Sequence, residues 1–170
     1  KDYYSINKIS KWITNRHSKK ITHLLRSKYD CIFSTSKSIN KDNSLLNCRI
    51  EGLNSLKPDL FIIDLDLKLK KKLSIVNMAN KRKIFLITNK KNEKKFKFFK
   101  KKGFKIFLIK SLNSKNDFKM MLKRIYNLGY SRAFFETGLT FLNSLLNYKL
   151  LNNLYVLQNN MKLNKNGLNN

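Results

Sequence analysis

Proline occurs once in this chain, at Pro58, tryptophan once, at Trp12, and glycine five times. So few breakers leave no Pro-rich or Gly/Ser-rich linker, and neither Gly-x-Gly-x-x-Gly nor Gly-x-x-x-x-Gly-Lys-Ser/Thr is present, which removes the Rossmann fingerprint and the P-loop. The two cysteines, Cys31 and Cys48, belong to no Cys-x-x-Cys or His/Cys array, so no metal site is expected. Both read as small buried or half-buried thiols of a cytosolic protein. No apolar run approaches the roughly 18 residues that span a bilayer, and no signal-peptide pattern opens the chain, so a soluble cytoplasmic protein is expected. Acidic residues are scarce as well, 10 against 37 Lys and Arg, for a formal charge of +27.

With 170 residues and 42% hydrophobic content the chain is read as a single domain, residues 1–170, around one core. It begins at Lys1 and ends in the polar stretch NNMKLNKNGLNN, which reads as a fragment of a longer protein. A charge of this size draws polyanions, and a non-catalytic nucleic-acid-binding module is one reading of it. Against that, the lysines are spread over every segment and accompany Asn, Ile, Leu, Phe and Tyr, residues with A/T-rich codons, so they read as a solvated surface. An RNA-binding surface would also show exposed aromatics among the basic residues. Phe96, Phe98 and Phe99 do lie among lysines, but helical spacing assigns Phe96 and Phe99 to the core, and no nucleic-acid partner is expected.

The second half alternates strand and helix signals. KIFLIT (83–88) is a short β-rich run; Asn92 is placed to cap a helix that Gly103 ends; FKIFLI (104–109) is a strand. The next helix carries Phe118, Met121, Leu122, Ile125 and Tyr126 on one face before Gly129. RAFFE (132–136) is a strand, TFLNSLLNYKL a helix with Leu142, Leu145 and Leu146 inward, and LYVLQ (154–158) a further strand. In the first half, residues 15–28 read as a helix with Ile21, Leu24 and Leu25 on one face, CIFSTS as a strand ending in small polar residues, and DLFIIDLDL as a buried strand with Asp64 near its carboxyl end. Repeated βα order predicts an α/β fold with a mostly parallel sheet flanked by helices.

Ligands of open α/β sheets sit at the carboxyl ends of strands. Two stretches lie there: SKSINKDNSLLNCR and ETGLTFLNS. In the second, Glu136 ends a strand, Gly138 permits close backbone approach, and Thr140 is placed to cap a helix whose amino terminus suits a phosphate. Only six of the 37 basic residues are arginine. The planar guanidinium fork fits an oxyanion where lysine offers a point charge, so Arg26 and Arg49 stand out as oxyanion-binding candidates, with an ion pair to a residue such as Asp30 as the alternative.

SKWITN (10–15), HLLR (23–26), DCIFSTSKSINKDNSLLNCR (30–49), DLFIIDLDLKL (59–69) and AFFETGLTFLNSLL (133–146) follow one another in an order and spacing that resemble the reductase domain of the bifunctional riboflavin-biosynthesis deaminase/reductase family. The resemblance implies a dihydrofolate-reductase-like fold and an NADPH-dependent oxidoreductase that reduces 5-amino-6-(5-phosphoribosylamino)uracil to the ribitylamino compound. It places Ser10, Arg26, Leu46, Arg49 and Glu136 against this phosphorylated pyrimidine, with Arg26 and Arg49 toward its phosphate. It places Trp12, Ser38, Asp42, Gly138, Leu139, Thr140, Phe141, Leu142, Asn143 and Ser144 against the cofactor. No catalytic acid or base is assigned; Glu136, Asp42, a water or the substrate itself remain open as proton donors. A reductase of this fold acting on another pyrimidine or a pterin stays as an alternative. A homodimer and, in the complete protein, an amino-terminal zinc deaminase domain are also implied.

The chain departs from the family pattern in three ways. Ser44 stands where Asp-Asn-Pro is usual, and Thr137 where Glu-Gly-Gly is usual. Of the family's first strand only a remnant at KDYYSINK is read, and its strands after LYVLQNN are not, so truncation at both ends is expected. The deaminase signature, His-x-Glu with Pro-Cys-x-x-Cys, is absent from these residues.

Overall fold

The computed structural model describes residues 16–53 and 55–157. Its elements run α1 (Arg16–Ser27), β1 (Cys31–Thr35), α2 (Ser36–Asp42), β2 (Asp59–Ile63), α3 (Ser74–Asn77), β3 (Ile84–Thr88), α4 (Glu93–Lys101), β4 (Phe104–Leu108), α5 (Lys115–Tyr126), β5 (Ala133–Phe135) and α6 (Leu139–Asn147). The strands form one five-stranded parallel sheet in the order β4-β3-β2-β1-β5. Successive strands from β1 to β4 step one way across the sheet, whereas β5 returns to the far side of β1. The connections therefore diverge at the carboxyl ends of β1 and β5, the switch point where an open sheet leaves a crevice.

Strand periodicity splits the apolar residues between two faces. Ile32, Leu60, Ile62, Ile84 and Leu86 pack on one side with Ile39 of α2, Ile75 of α3 and Phe99 of α4. Phe33, Phe61, Phe85 and Phe107 face the other, under Phe118, Met121 and Ile125 of α5 and Leu145 of α6. There the rings of Phe135, Phe33, Phe61 and Phe85 stack in a row across four neighbouring strands, at centroid separations of 4.6, 5.0 and 4.4 Å. Phe99 is buried, and Phe96 and Phe98 are half-buried against the same core. No helix among the described residues is long and apolar enough to cross a membrane.

The punctuation follows local chemistry. Asn92 caps α4 by accepting the Lys95 amide, and Gly103 and Gly129 leave α4 and α5 in the left-handed region at φ 94°. A Cβ at Gly103 would stand 2.9 Å from the backbone oxygen of Ala79, so this turn is closed to larger residues. Ser114 and Asp117 form a reciprocal capping box at the start of α5. Ser114→Ala is expected to lower stability by about 1 kcal/mol, a fall of roughly 2–4 °C in Tm at this chain length, read by thermal unfolding.

Several expected boundaries move. CIFSTS stops at Thr35, and Ser36 opens a helix that no periodicity marks: the Thr35 hydroxyl accepts the Ser38 amide while Ile39 is buried beneath it. β2 ends at Ile63, after which Asp64 turns the chain. The strand expected at 154–158 does not form over 154–157, where these residues have no paired neighbour; Gln158 lies outside the described residues. Leu24, Tyr126 and Leu146, assigned to inward faces, are exposed. Tyr126 is the last residue of α5, and in α6 it is Leu145 that faces the sheet.

Candidate active site

Glu136 follows β5 and is fixed by its backbone. Its amide donates to Phe33 O at 2.9 Å, and its carbonyl accepts the Ser34 hydroxyl at 2.9 Å. The side chain is thereby aimed at α1, where Arg26 meets it as a two-pronged fork: Nε donates to Oε2 at 2.8 Å and Nη2 to Oε1 at 2.6 Å. The remaining arm, Nη1, donates to Asn47 O at 2.8 Å. Three segments distant in sequence are thus joined through one guanidinium. The ion pair expected for Arg26 as an alternative exists, but with Glu136. Asp30 instead pairs with Arg132 at 2.9 Å, and the Arg132 amide that it accepts leads the influences holding its carboxyl below the usual range, ahead of the Arg132 side chain and the Ser131 amide.

His23 stands one helical turn from Arg26. Its Nδ1 lies 3.2 Å from the Arg49 amide nitrogen, 3.0 Å from Asn47 O and 3.4 Å from Arg26 Nη1. Burial, then the positive charge of Arg26, lowers the imidazole below its ordinary value of 6.5. The ring is therefore neutral at pH 7, with Nδ1 set between the Asn47 carbonyl and the Arg49 amide. Its contribution is present above pH 6.5 and is lost as the pH falls through the lowered value. The Cys48 thiol donates to His23 O at 3.4 Å, a second stitch between α1 and the segment that carries Arg49. Cys48 is buried, as the sequence indicates.

The other expected residues fall around this junction. Arg49 is exposed and lines a hollow of about 710 Å³ with Arg16, Lys19, Lys20, His23 and Glu51. Leu46 is buried in the core, at φ 51°, so its backbone is what it offers to a ligand. Ser38 lies in the first turn of α2, with its hydroxyl 3.0 Å from that of Thr35, and Asp42 ends α2 in solvent. Beside it Asn43, left-handed at φ 47°, ties α2 to α3 by two bonds with Ser74 of 3.0 and 2.8 Å. Gly138 to Ser144 form the start of α6 directly after β5. The cap is Gly138, which has no side chain to accept a first-turn amide, and Thr140 is already inside the helix, contrary to its expected capping role. Ser10 and Trp12 lie outside the described residues.

Whether an anionic cofactor group fits here is a question of charge and spare polar atoms. The amino end of α6 has no side-chain cap, and the Thr137 hydroxyl beside it is buried with no partner. Both features suit a phosphate-bearing ligand. A larger hollow, about 860 Å³, runs along the outer side of β5 past Tyr29, Phe134 and Tyr155 and reaches the junction at Glu136 and Thr137.

His23 and Asn47 carry more of the site than sequence reasoning assigned to them. His23 stands in the HLLR stretch quoted above, so its type was visible, whereas the Asn47 contribution comes from its carbonyl and has no side-chain signature.

The family model described as RibD C-terminal domain matches residues 5–161. Over 137 residues the chain is 31% identical to the riboflavin biosynthesis protein RibD of Aquifex aeolicus, covering 81% of this chain and 36% of that protein. The chain thus spans about a third of that relative's length. Among solved structures, RibD of Acinetobacter baumannii superposes with a TM-score of 0.69 at 16% identity, covering 88% of this chain and 39% of that one. A pyrimidine reductase-like protein of Corynebacterium diphtheriae gives a TM-score of 0.68 at 13% identity over 85% of this chain and 64% of the other. These likenesses bear on the fold, and they agree with the reductase-like α/β architecture expected from the sequence.

Proposed function

The chain belongs to the RibD C-terminal domain family, and from that membership we propose that it is a pyrimidine reductase of riboflavin biosynthesis, using NADPH to reduce 5-amino-6-(5-phosphoribosylamino)uracil to the ribitylamino compound. The observation that carries this reading is the junction of Arg26, Asn47 and Glu136 at the switch point. Two of these three residues were named by the resemblance as substrate contacts, and they meet across 110 positions of sequence.

In this reading the bound nicotinamide supplies the hydride. The chain supplies placement, which is worth on the order of 7–11 kcal/mol when two reactants are held at near-attack distance. Glu136 uses both oxygens to accept from Arg26, so it anchors the guanidinium rather than serving as a donor to substrate. Arg26 is held by Glu136 and Asn47 with two N–H groups to spare, and the exposed Arg49 with its basic neighbours is the better placed to take the substrate phosphate. Ser38, Asp42 and the amino end of α6 face the cofactor side. A homodimer and an amino-terminal deaminase domain in the complete protein belong to the same proposal.

Arg49→Ala is expected to raise KM for the phosphorylated pyrimidine by about tenfold to a hundredfold, the loss of one charge-assisted bond of roughly 1.5–3 kcal/mol, with KM for NADPH unchanged. The test of the whole reading is an NADPH titration by cofactor fluorescence, followed by its oxidation on adding the pyrimidine. Saturable binding with substrate-dependent oxidation supports it. Cofactor binding without oxidation by this pyrimidine transfers the reading to another pyrimidine or a pterin, and no binding by the folded protein rejects it.

A further inference from the structure

Arg82 is the one basic residue besides Arg26 that is buried among the described residues, and nothing in the proposed reaction uses it. Its guanidinium has no carboxylate within ion-pair distance among the described residues. It donates through Nη1 to Leu45 O at 3.0 Å and Leu46 O at 3.1 Å, and through Nη2 to Pro58 O, while Nε has no partner. Burial pushes its pKa down to about 10. A guanidinium held only by carbonyls is costly to bury, and elsewhere the chain keeps most of its positive charge in water.

The three carbonyls belong to the two ends of one segment, residues 43–58, between α2 and β2. This segment is shaped against local preference at its start, with Asn43 and Leu46 both left-handed at φ 47° and 51°. A leucine in that region is strained by roughly 1 kcal/mol or more, and the strain persists only where surroundings enforce it. Leu46 is enforced twice, by burial of its side chain and by Arg82 on its carbonyl. The next three residues are Asn47, whose carbonyl binds Arg26, then Cys48 and Arg49, which are stitched to His23.

We infer that Arg82 is a positioning residue for the substrate side of the site: by fastening both ends of residues 43–58 it presents the Asn47 carbonyl and the Arg49 side chain at the switch point. This inference rests on the proposed reductase reading. Lysine cannot replace it, since one ammonium lacks the reach and the planar fork to serve carbonyls on two strands of chain at once.

The test compares wild type with Arg82→Lys, which keeps the charge and stem, and with Arg82→Met, which removes the charge. Each is measured for KM toward the phosphorylated pyrimidine, KM toward NADPH, and amide hydrogen exchange. The expected result is a rise of about tenfold or more in pyrimidine KM with NADPH KM within about twofold, and faster exchange confined to residues 43–58. A merely structural loss would move both constants or neither. Equal shifts in both constants, unchanged exchange in the segment, or failure of both variants to fold would each overturn the inference. A folded wild type that binds no NADPH would overturn the reductase reading itself; that failure is told apart because the exchange rates of Arg82→Lys still report on the strap.

Discussion

Replacing Arg26 with alanine is expected to lower unfolding stability by about 3 kcal/mol and to abolish measurable turnover of the pyrimidine. Breaking a buried ion pair by removing one partner costs roughly 3–5 kcal/mol, because the other charge is left without compensation. Here the Arg26 side chain is 9% exposed and that of Glu136 30%, so water recovers part of the loss and the lower end applies. The Asn47 carbonyl loses its donor at the same time. A double-mutant cycle separates the pair from its surroundings. Glu136→Gln should cost less than Arg26→Ala, and the double variant should be about as stable as Arg26→Ala alone, giving a coupling of about 1–3 kcal/mol in urea unfolding. Arg26→Lys should restore part of the stability and little of the turnover, since lysine cannot serve two carboxylate oxygens and a carbonyl together. Strict additivity in the cycle would mean that the fork contributes nothing beyond its separate members.

The resemblance named Arg26 and Glu136 as neighbours of one substrate, but it assigned the guanidinium to phosphate. In the structure it pairs with the Glu136 carboxylate, a partner the sequence could not name, because a sequence shows that arginine was chosen over lysine and not which oxyanion stands opposite. Strand signals were legible because IFLIT and DLFII are buried on both faces and read as continuous apolar runs. Helix ends were legible where a cap residue marks them, as at Asn92 and Gly103. α2 was not, because its seven residues carry one buried apolar side chain and its start depends on the Thr35 hydroxyl, which serves equally well in a loop. Arg82 was invisible for another reason. It stands in ANKRK among lysines, and its burial follows from a strap to carbonyls 24 and more positions away.

Asp64→Ala is the complementary experiment at the start of α2, with an expected loss of about 3–4 kcal/mol. Asp64 is 2% exposed and follows β2, where Oδ1 accepts the Ser36 hydroxyl at 2.6 Å and the Lys68 amide at 2.8 Å, and Oδ2 accepts the Leu69 amide at 2.8 Å. Alanine would strand three donors, each unmet donor in the interior costing on the order of 1–3 kcal/mol before water enters the gap. Asp64→Asn, nearly isosteric, is expected to recover less than half of the loss, because its amide must set an N–H against one of these donors. The Ser36 bond fixes the start of α2, the helix that carries Ser38 and Asp42. Loosening it should therefore raise KM for NADPH more than KM for the pyrimidine, the reverse of the pattern expected for Arg82→Lys. Opposite splits in the two variants, measured in one assay with stability followed by urea unfolding, would place α2 on the cofactor side of the crevice and residues 43–58 on the substrate side. The same split in both would mean that the two segments move as one wall, and the division of labour drawn from the resemblance would fall.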